Sequence, residues 1–327
     1  MRIVMMGTGG FAVPTFQAII ESDHTISALF TRPPKVARGR KSTPPPNPMR
    51  DVAEEASIPI YMPESVNSEE SLQQLKELAP DLLIVCDYGQ ILSNDALGVA
   101  PLGGINLHGS LLPKYRGAAP INWALYHGES RVGVTVIHMT PKLDGGPCLQ
   151  TDAIDVSDAD DAISIEEKLS RIGVDTVLRS LKQLKAWDRE SLLGTLQDPT
   201  LVTKAPRLKK SDGMIDWNRS ATEISNQVRA FKPWPSCFAD WERTEKNVVR
   251  LLIEQVVVFD DSNRDPNRAV GEIIESGDDG IDVQCGTGIL RLLQLKPAGK
   301  RSLAASEFLR GYPLVAGEKL SVNSTLA

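Results

Sequence analysis

Apolar and polar positions in the first half of the chain follow two alternating rhythms. Residues 3–6 form an unbroken apolar run, a glycine turn follows, residues 12–22 carry apolar side chains at helical spacing, and residues 25–30 return as an apolar run. This succession predicts a βαβ start. Helices are predicted over 49–57 and over 68–78, the second from Leu72, Leu75 and Leu78. The run at 81–86 contains almost no polar residue, as in parallel strands covered on both faces, and residues 104–108 read as another short strand. A further strand over 133–139 precedes a long amphipathic helix over 163–187, with Leu169, Ile172, Val177, Leu181 and Leu184 on one face. The alternation then stops. Residues 191–212 are polar, turn-rich and locally basic, which predicts a linker. The runs at 248–259, 269–275, 280–285 and 288–295 are strand-like and separated by Asp-, Asn- and Gly-rich turns, the pattern of a small β-barrel. The expected organisation is therefore an α/β domain with a mostly parallel sheet over 1–190, a linker over 191–212 and a smaller β-rich domain over 213–327.

Composition adds limits. The 327 residues are 41% apolar and 24% charged, ordinary values for a globular chain, and long enough for two cores. No apolar run approaches the ~20 residues of a membrane span, and the opening apolar stretch meets Gly7-Thr8-Gly9-Gly10 too soon for a signal peptide. The cysteines, Cys86, Cys148, Cys237 and Cys285, lack C-x-x-C spacing and read as reduced thiols. A net charge of −6 is a poor global signature for a nucleic-acid binder. Its distribution is less even: Arg32, Lys35, Arg38, Arg40, Lys41 and Arg50 occur without an intervening acid, among Pro33, Pro34, Pro44, Pro45, Pro46 and Pro48. That segment reads as a basic loop, since prolines at this density exclude regular helix and central strand.

Candidate chemistry concentrates at Asn106-Leu107-His108-Gly109-Ser110-Leu111-Leu112-Pro113 and at Leu143-Asp144-Gly145-Gly146. In a strand, Asn106 and His108 point to one side while Ile105 and Leu107 point to the other. If the strand is parallel, the pair lies toward the carboxyl ends of the sheet, where open α/β sheets bind ligands. Taken alone, Asn-x-His fits a turn-capping amide with a backbone-bonded imidazole, and Asp-Gly fits an ordinary turn. The combination, with Arg116-Gly117-Ala118-Ala119-Pro120 between its parts, is far rarer than any component.

On these residues the chain resembles the folate-dependent formyltransferases, and within them the tRNA-formylating branch. The resemblance extends through Phe11-Ala12-Val13-Pro14, Arg38-Gly39-Arg40-Lys41 and Tyr88-Gly89-Gln90-Ile91-Leu92, and into the second half through Ala205-Pro206, Ile215-Asp216-Trp217, Arg229-Ala230-Phe231, Pro233-Trp234-Pro235 and Phe308-Leu309-Arg310-Gly311. It implies a Rossmann-like catalytic domain followed by an OB-like C-terminal domain, and a formyl transfer from 10-formyltetrahydrofolate to initiator methionyl-tRNA. It also implies catalysis by Asn106, His108 and Asp144, and folate contacts from Ser110, Leu111, Leu112 and Pro113. Backbone groups of Gln90, Ile91 and Leu92 are expected against the pterin, and Arg38, Arg40, Lys41, Lys209 and Lys210 against tRNA phosphates. A cytoplasmic monomer without metal is expected. The chain departs from the family pattern at Gly9-Gly10, where Pro and an acid are usual, and at Gly146-Pro147, where Gly-Asp is usual.

Three other readings have weaker support. Gly7-x-Gly9 with Ala12 suggests a dinucleotide fingerprint, but Thr31-Arg32 stands where an acid would hold the ribose. A formyltransferase acting on a sugar nucleotide or glycinamide ribonucleotide would not need both the basic proline-rich loop and the second domain. A degenerate RNA-binding module would not need Asn106, His108 and Asp144 together. His24, His127 and His138 show no metal-ligand spacing.

Overall fold

The computed structural model describes residues 1–34, 46–244, 247–260, 265 and 267–321, so the expected tRNA contacts Arg38, Arg40 and Lys41 lie outside the described residues. The chain divides into two compact units. The first comprises Met1–Pro120, Arg131–Val156 and Ser164–Pro206, and the second Ile121–Ser130, Ser157–Ile163 and Arg207–Ala327. Two short excursions from the N-terminal half therefore group with the second unit, which a linear division of the sequence does not anticipate. Residues 191–206, read from composition as part of a linker, group with the first.

In chain order the first half contains β1 (Arg2–Gly7), α1 (Val13–Ile20), β2 (Thr25–Phe30), α2 (Pro48–Glu55), β3 (Ile60–Tyr61), α3 (Glu69–Leu78), β4 (Leu82–Cys86), α4 (Asn94–Leu97), β5 (Gly104–His108), β6 (Arg116–Gly117), α5 (Pro120–Tyr126), β7 (Arg131–His138), β8 (Cys148–Asp155) and α6 (Ala162–Lys185). Local chemistry sets several of these boundaries. Asn47 caps α2 by accepting from the Arg50 N–H at 3.1 Å, and Ser68 caps α3 by accepting from Ser71 at 3.3 Å. All five residues of β4 are buried, as its apolar run predicts.

The first sheet has the order β3-β2-β1-β4-β5-β7-β8. Its first five strands are parallel, while β7 is antiparallel to β5 and β8 antiparallel to β7. The chain builds outward from β1 to β3, then returns to place β4 on the other side of β1, creating a switch point of the kind that opens a ligand crevice. One face is packed by Val4, Met6, Phe30, Leu83 and Val85 against Leu75 and Leu97, all buried. Each such side chain contributes roughly 1.5–3 kcal/mol through burial. On the other face α6 crosses β5, bringing Gly173 so close to Leu107 that an added Cβ would lie 2.8 Å from Leu107 Cδ2.

The remainder contains β9 (Lys204–Ala205), α7 (Ala221–Ala230), β10 (Cys237–Thr244), β11 (Asn247–Asp260), β12 (Ile273–Gly277), β13 (Gly280–Gln284), β14 (Ile289–Pro297), β15 (Leu303–Ala304), α8 (Ala305–Gly311) and β16 (Leu320–Ser321). In the second unit the order is β12-β13-β14-β11-β10-β16, antiparallel throughout. Its two ends meet, because Glu272 bridges Lys319 and Ile273 donates its N–H to the Glu318 carbonyl at 2.8 Å. The strands therefore curl into the barrel-like form that their turn spacing predicts. Asp240 and Arg250, directly opposite on β10 and β11, form a two-pronged ion pair with lengths of 2.9 and 3.0 Å.

Candidate active site

Strand β5 is bordered on both sides, by β4 through Val85 opposite Asn106 and by β7 through Thr135 opposite His108. Period-two alternation puts Asn106 and His108 on the same face. The route of Asp144 is less direct. Because β7 runs antiparallel, its last residue His138 lies opposite Ile105, toward the far end of β5 from His108. The loop after β7 must double back along the sheet to deliver the acid, and it does so with Asp144 at φ 47°, in the left-handed region. The carboxylate thus approaches over the face of the sheet and not from the tip of a parallel neighbour.

The three groups meet. Asn106 Nδ2 lies 3.5 Å from Asp144 Oδ1, and His108 Nδ1 lies 3.8 Å from the same oxygen. The other carboxylate oxygen accepts the Gly117 N–H at 2.9 Å. The side chains of His108 and Asp144 are only 6% and 10% exposed, so solvent screens their interaction weakly. His108 Nε2 lies 2.9 Å from the Tyr115 carbonyl, which can only accept, so Nε2 carries the proton. In the neutral ring the unprotonated nitrogen is then Nδ1, the one facing Asp144.

Residues 110–113 form a tight turn beneath this cluster. Ser110 is buried and donates to the Lys114 carbonyl at 2.7 Å, while Thr135 donates to the Ser110 carbonyl at 2.7 Å and accepts the Leu112 N–H at 3.2 Å. The Ser110 hydroxyl is thereby engaged within the turn, leaving half-buried Leu111, Leu112 and Pro113 as its apolar surface. Among residues 90–92, Gln90 uses its amide to accept the Val66 N–H at 2.8 Å and donate to the Pro63 carbonyl at 3.2 Å. Leu92 is buried, the Ile91 carbonyl accepts from Asn67, and the Ile91 side chain is 63% exposed. Of this trio Ile91 is exposed, Gln90 half-buried and Leu92 buried. Lys209 and Lys210 are exposed on the second unit.

The departure at Gly9 has a local explanation. A Cβ there would fall 1.7 Å from Asp87 Oδ2, so the proline usual at that position would require the Asp87 side chain, which this chain carries just after β4, to turn aside. Asp87 and Glu166 bear like charges whose carboxyls the surrounding protein partly desolvates. Burial raises both above the ordinary carboxylate range, against the pull of Arg32 on Asp87 and with the charge of Asp87 adding to the effect on Glu166.

Sequence reasoning missed several residues that hold the cluster together. Tyr115, Arg116, Gly117, Thr135, Gln197 and Thr203 all bond to it or to its neighbours. Only Arg116-Gly117 stood inside a recognisable motif, and Gln197 and Thr203 carry no local signal. Among the described residues no group of three or more His, Cys, Asp or Glu side chains is arranged to hold a metal, and no helix is long and apolar enough to cross a membrane. His138 is engaged with the Leu102 carbonyl at 3.0 Å.

The chain is 42% identical over 332 residues to the methionyl-tRNA formyltransferase of Rhodopirellula baltica, covering 98% of this chain and 96% of the relative. It is 39% identical over 322 residues to the protein of the same name from Geobacter sulfurreducens, with 98% and 96% coverage. Among solved structures, the sugar 3N-formyltransferase WlaRD, crystallised with dTDP and 5-N-formyltetrahydrofolate, shares the fold at a TM-score of 0.62 and 16% identity, over 92% of this chain and 99% of that one. HypX from Aquifex aeolicus in complex with tetrahydrofolic acid matches at a TM-score of 0.59 and 15% identity, and this chain, covered to 95%, spans 48% of it. The family profile described as formyl transferase matches residues 1–181, and that of the formyl transferase C-terminal domain matches residues 207–313. The chain belongs to the formyl transferase family.

Proposed function

We propose that this protein transfers the formyl group of 10-formyltetrahydrofolate to the amino group of methionine on initiator methionyl-tRNA. The observation that carries the reading is the convergence of Asn106, His108 and Asp144 on one point, in a chain similar along nearly its whole length to methionyl-tRNA formyltransferases.

Formyl transfer requires attack by a neutral amine on the formyl carbon. A C–N bond forms as the carbonyl electrons move to oxygen, and collapse of the tetrahedral species breaks the bond to the folate nitrogen. The amine gives up a proton and the departing nitrogen gains one. Asn106 donates an amide N–H to the oxyanion, a placed dipole whose loss in comparable sites costs about 3 kcal/mol. Its contact to Asp144, at 3.5 Å, is at the limit of a hydrogen bond and leaves the amide able to turn to the substrate. His108, with Nε2 committed to Tyr115, uses Nδ1 to accept and return a proton. Asp144 faces that nitrogen and, through a bridging water, links it to the amine.

Leu111, Leu112, Pro113 and exposed Ile91 supply apolar surface for the pterin. Arg38, Arg40, Lys41, Lys209 and Lys210 supply phosphate contacts, so the affinity for tRNA falls log-linearly with salt. The protein acts as a cytoplasmic monomer and needs no metal for this chemistry.

The test offers the protein 10-formyltetrahydrofolate with methionine-charged initiator tRNA, glycinamide ribonucleotide or an amino-sugar nucleotide, and identifies the product by mass spectrometry. Formyl-methionyl-tRNA is expected. A formylated small amine with no formylated tRNA would replace the reading with the small-acceptor alternative.

A further inference from the structure

We infer that Gln197 is a positioning residue for Asp144, holding through its side-chain amide the left-handed turn that presents the carboxylate to His108. The inference rests on the reading of Asp144 as part of a formyl-transfer site, and it adds a residue that no motif identifies.

The amide of Gln197 is fully committed. Its Nε2 donates to the Asp144 carbonyl at 2.8 Å and to the Gly146 carbonyl at 2.7 Å, and its Oε1 accepts from Arg116 Nε at 3.0 Å and Nη2 at 2.7 Å. A glutamine amide has two donors and two acceptor sites, and each has a partner here. The partners also fix its orientation, since a flipped amide would set N–H against guanidinium and oxygen against two carbonyls. The turn it grips needs an outside restraint. Asp144 sits at φ 47°, a conformation that costs a non-glycine residue about 1 kcal/mol or more unless its surroundings impose it.

The same stretch of chain holds the other side of the site. Thr203 accepts the Tyr115 N–H at 2.8 Å, and β9 pairs with β6 through Lys204 opposite Arg116 and Ala205 opposite Gly117. Three consecutive residues then reach the cluster by different routes. The Tyr115 carbonyl holds His108, the Arg116 guanidinium holds Gln197, and the Gly117 N–H holds the Asp144 carboxylate. Residues 197–205 act as a strap that fixes imidazole and carboxylate to one piece of backbone. A displacement of about 1 Å at a reacting group lowers rates by about 100-fold, so a restraint on Asp144 has catalytic weight although Gln197 bonds the backbone of Asp144 and not its carboxylate.

The test uses the full chain with Gln197→Glu, which keeps the shape and the acceptors for Arg116 but has no N–H for the two carbonyls. Gln197→Ala serves as a second variant should the carboxylate disturb folding. The expected result is a kcat lower by about 100-fold with KM for both substrates changed by less than about threefold. In an Asp144→Asn background, Gln197→Glu is expected to produce little further loss, because both changes act on one group. A purely structural role would lower the two backgrounds equally. The third readout needs no activity: hydrogen exchange at the Gly117 amide should accelerate about 10-fold or more in either variant as Asp144 leaves it. Wild-type kcat in Gln197→Glu beside an active wild type would overturn the inference and leave the function standing. Unchanged Gly117 exchange in both variants would overturn it whatever the wild type transfers.

Discussion

His108 faces Asp144 with Nδ1 at 3.8 Å from Oδ1, while its Nε2 is held by the Tyr115 carbonyl at 2.9 Å. The ring can therefore exchange protons only on the side where the acid stands. Asp144→Asn preserves an oxygen for the Gly117 N–H and removes the charge facing the ring. It should lower kcat by at least about 100-fold with little change in folate affinity, the span expected when a group that takes part in proton transfer is neutralised. Steady-state kinetics with titrated folate would check this. A variant within a few-fold of wild type would remove the carboxylate charge from the mechanism.

Asn106 is expected to act through a dipole and not a charge. Asn106→Ala should reduce kcat by roughly two to three orders of magnitude while folate binding, followed by fluorescence quenching, stays nearly unchanged. Parallel losses in kcat and in folate affinity would instead make Asn106 a binding group.

Much of the first sheet is legible in sequence because its central strands β1 and β4 are short apolar runs buried along nearly their whole length. The pairing of Asn106 with His108 follows from period-two alternation alone. What the chain conceals is direction and distance. Nothing in residues 131–138 distinguishes an antiparallel strand from a parallel one, yet that direction decides whether Asp144 arrives from the sheet's end or folds back over its face. The stretch 191–206 reads as part of a linker because it is turn-rich and lacks helix or strand periodicity, whereas its role is to supply polar partners, Gln197 and Thr203, to backbone 51 to 88 residues earlier in the chain. Compositional reading cannot see hydrogen bonds between segments so far apart.

Tyr88 offers a prediction in pH. Its side chain is 1% exposed, and its hydroxyl has no hydrogen-bond partner among the described residues. Burial pushes the phenol up to about 12 from 10.0, against the pull of Arg32. Because the folded value lies above the unfolded one, the stability carried by the neutral phenol is fully present below pH 10 and is lost as pH rises through about 12. Tyr88→Phe lacks that loss. At pH 7 it should unfold within about 1 kcal/mol of wild type, and by pH 11.5 it should be the more stable by roughly 2 kcal/mol. Urea unfolding of both proteins at the two pH values measures the difference, and a gap that does not widen with pH would mean the phenol ionises as easily folded as unfolded.

Gly117 joins the strap to the acid and should tolerate no side chain. Its φ of 131° is outside the range other residues adopt readily, and a Cβ would lie 2.3 Å from the Ala205 carbonyl oxygen. That oxygen also accepts the Ala118 N–H at 2.8 Å and the Ala119 N–H at 3.3 Å, so it cannot retreat without breaking both bonds. Gly117→Ala must therefore displace either β9 or the Gly117 N–H that holds Asp144. The first outcome loosens the strap and the second releases the carboxylate, and each combines backbone strain with overpacking worth about 2–3 kcal/mol. The variant should melt several degrees lower, as read by calorimetry, and lose at least about 10-fold in kcat at temperatures where it remains folded. Loss of stability with full kcat would show that β9 yields while Asp144 keeps its place, and would confine the catalytic contribution of residues 197–205 to Gln197.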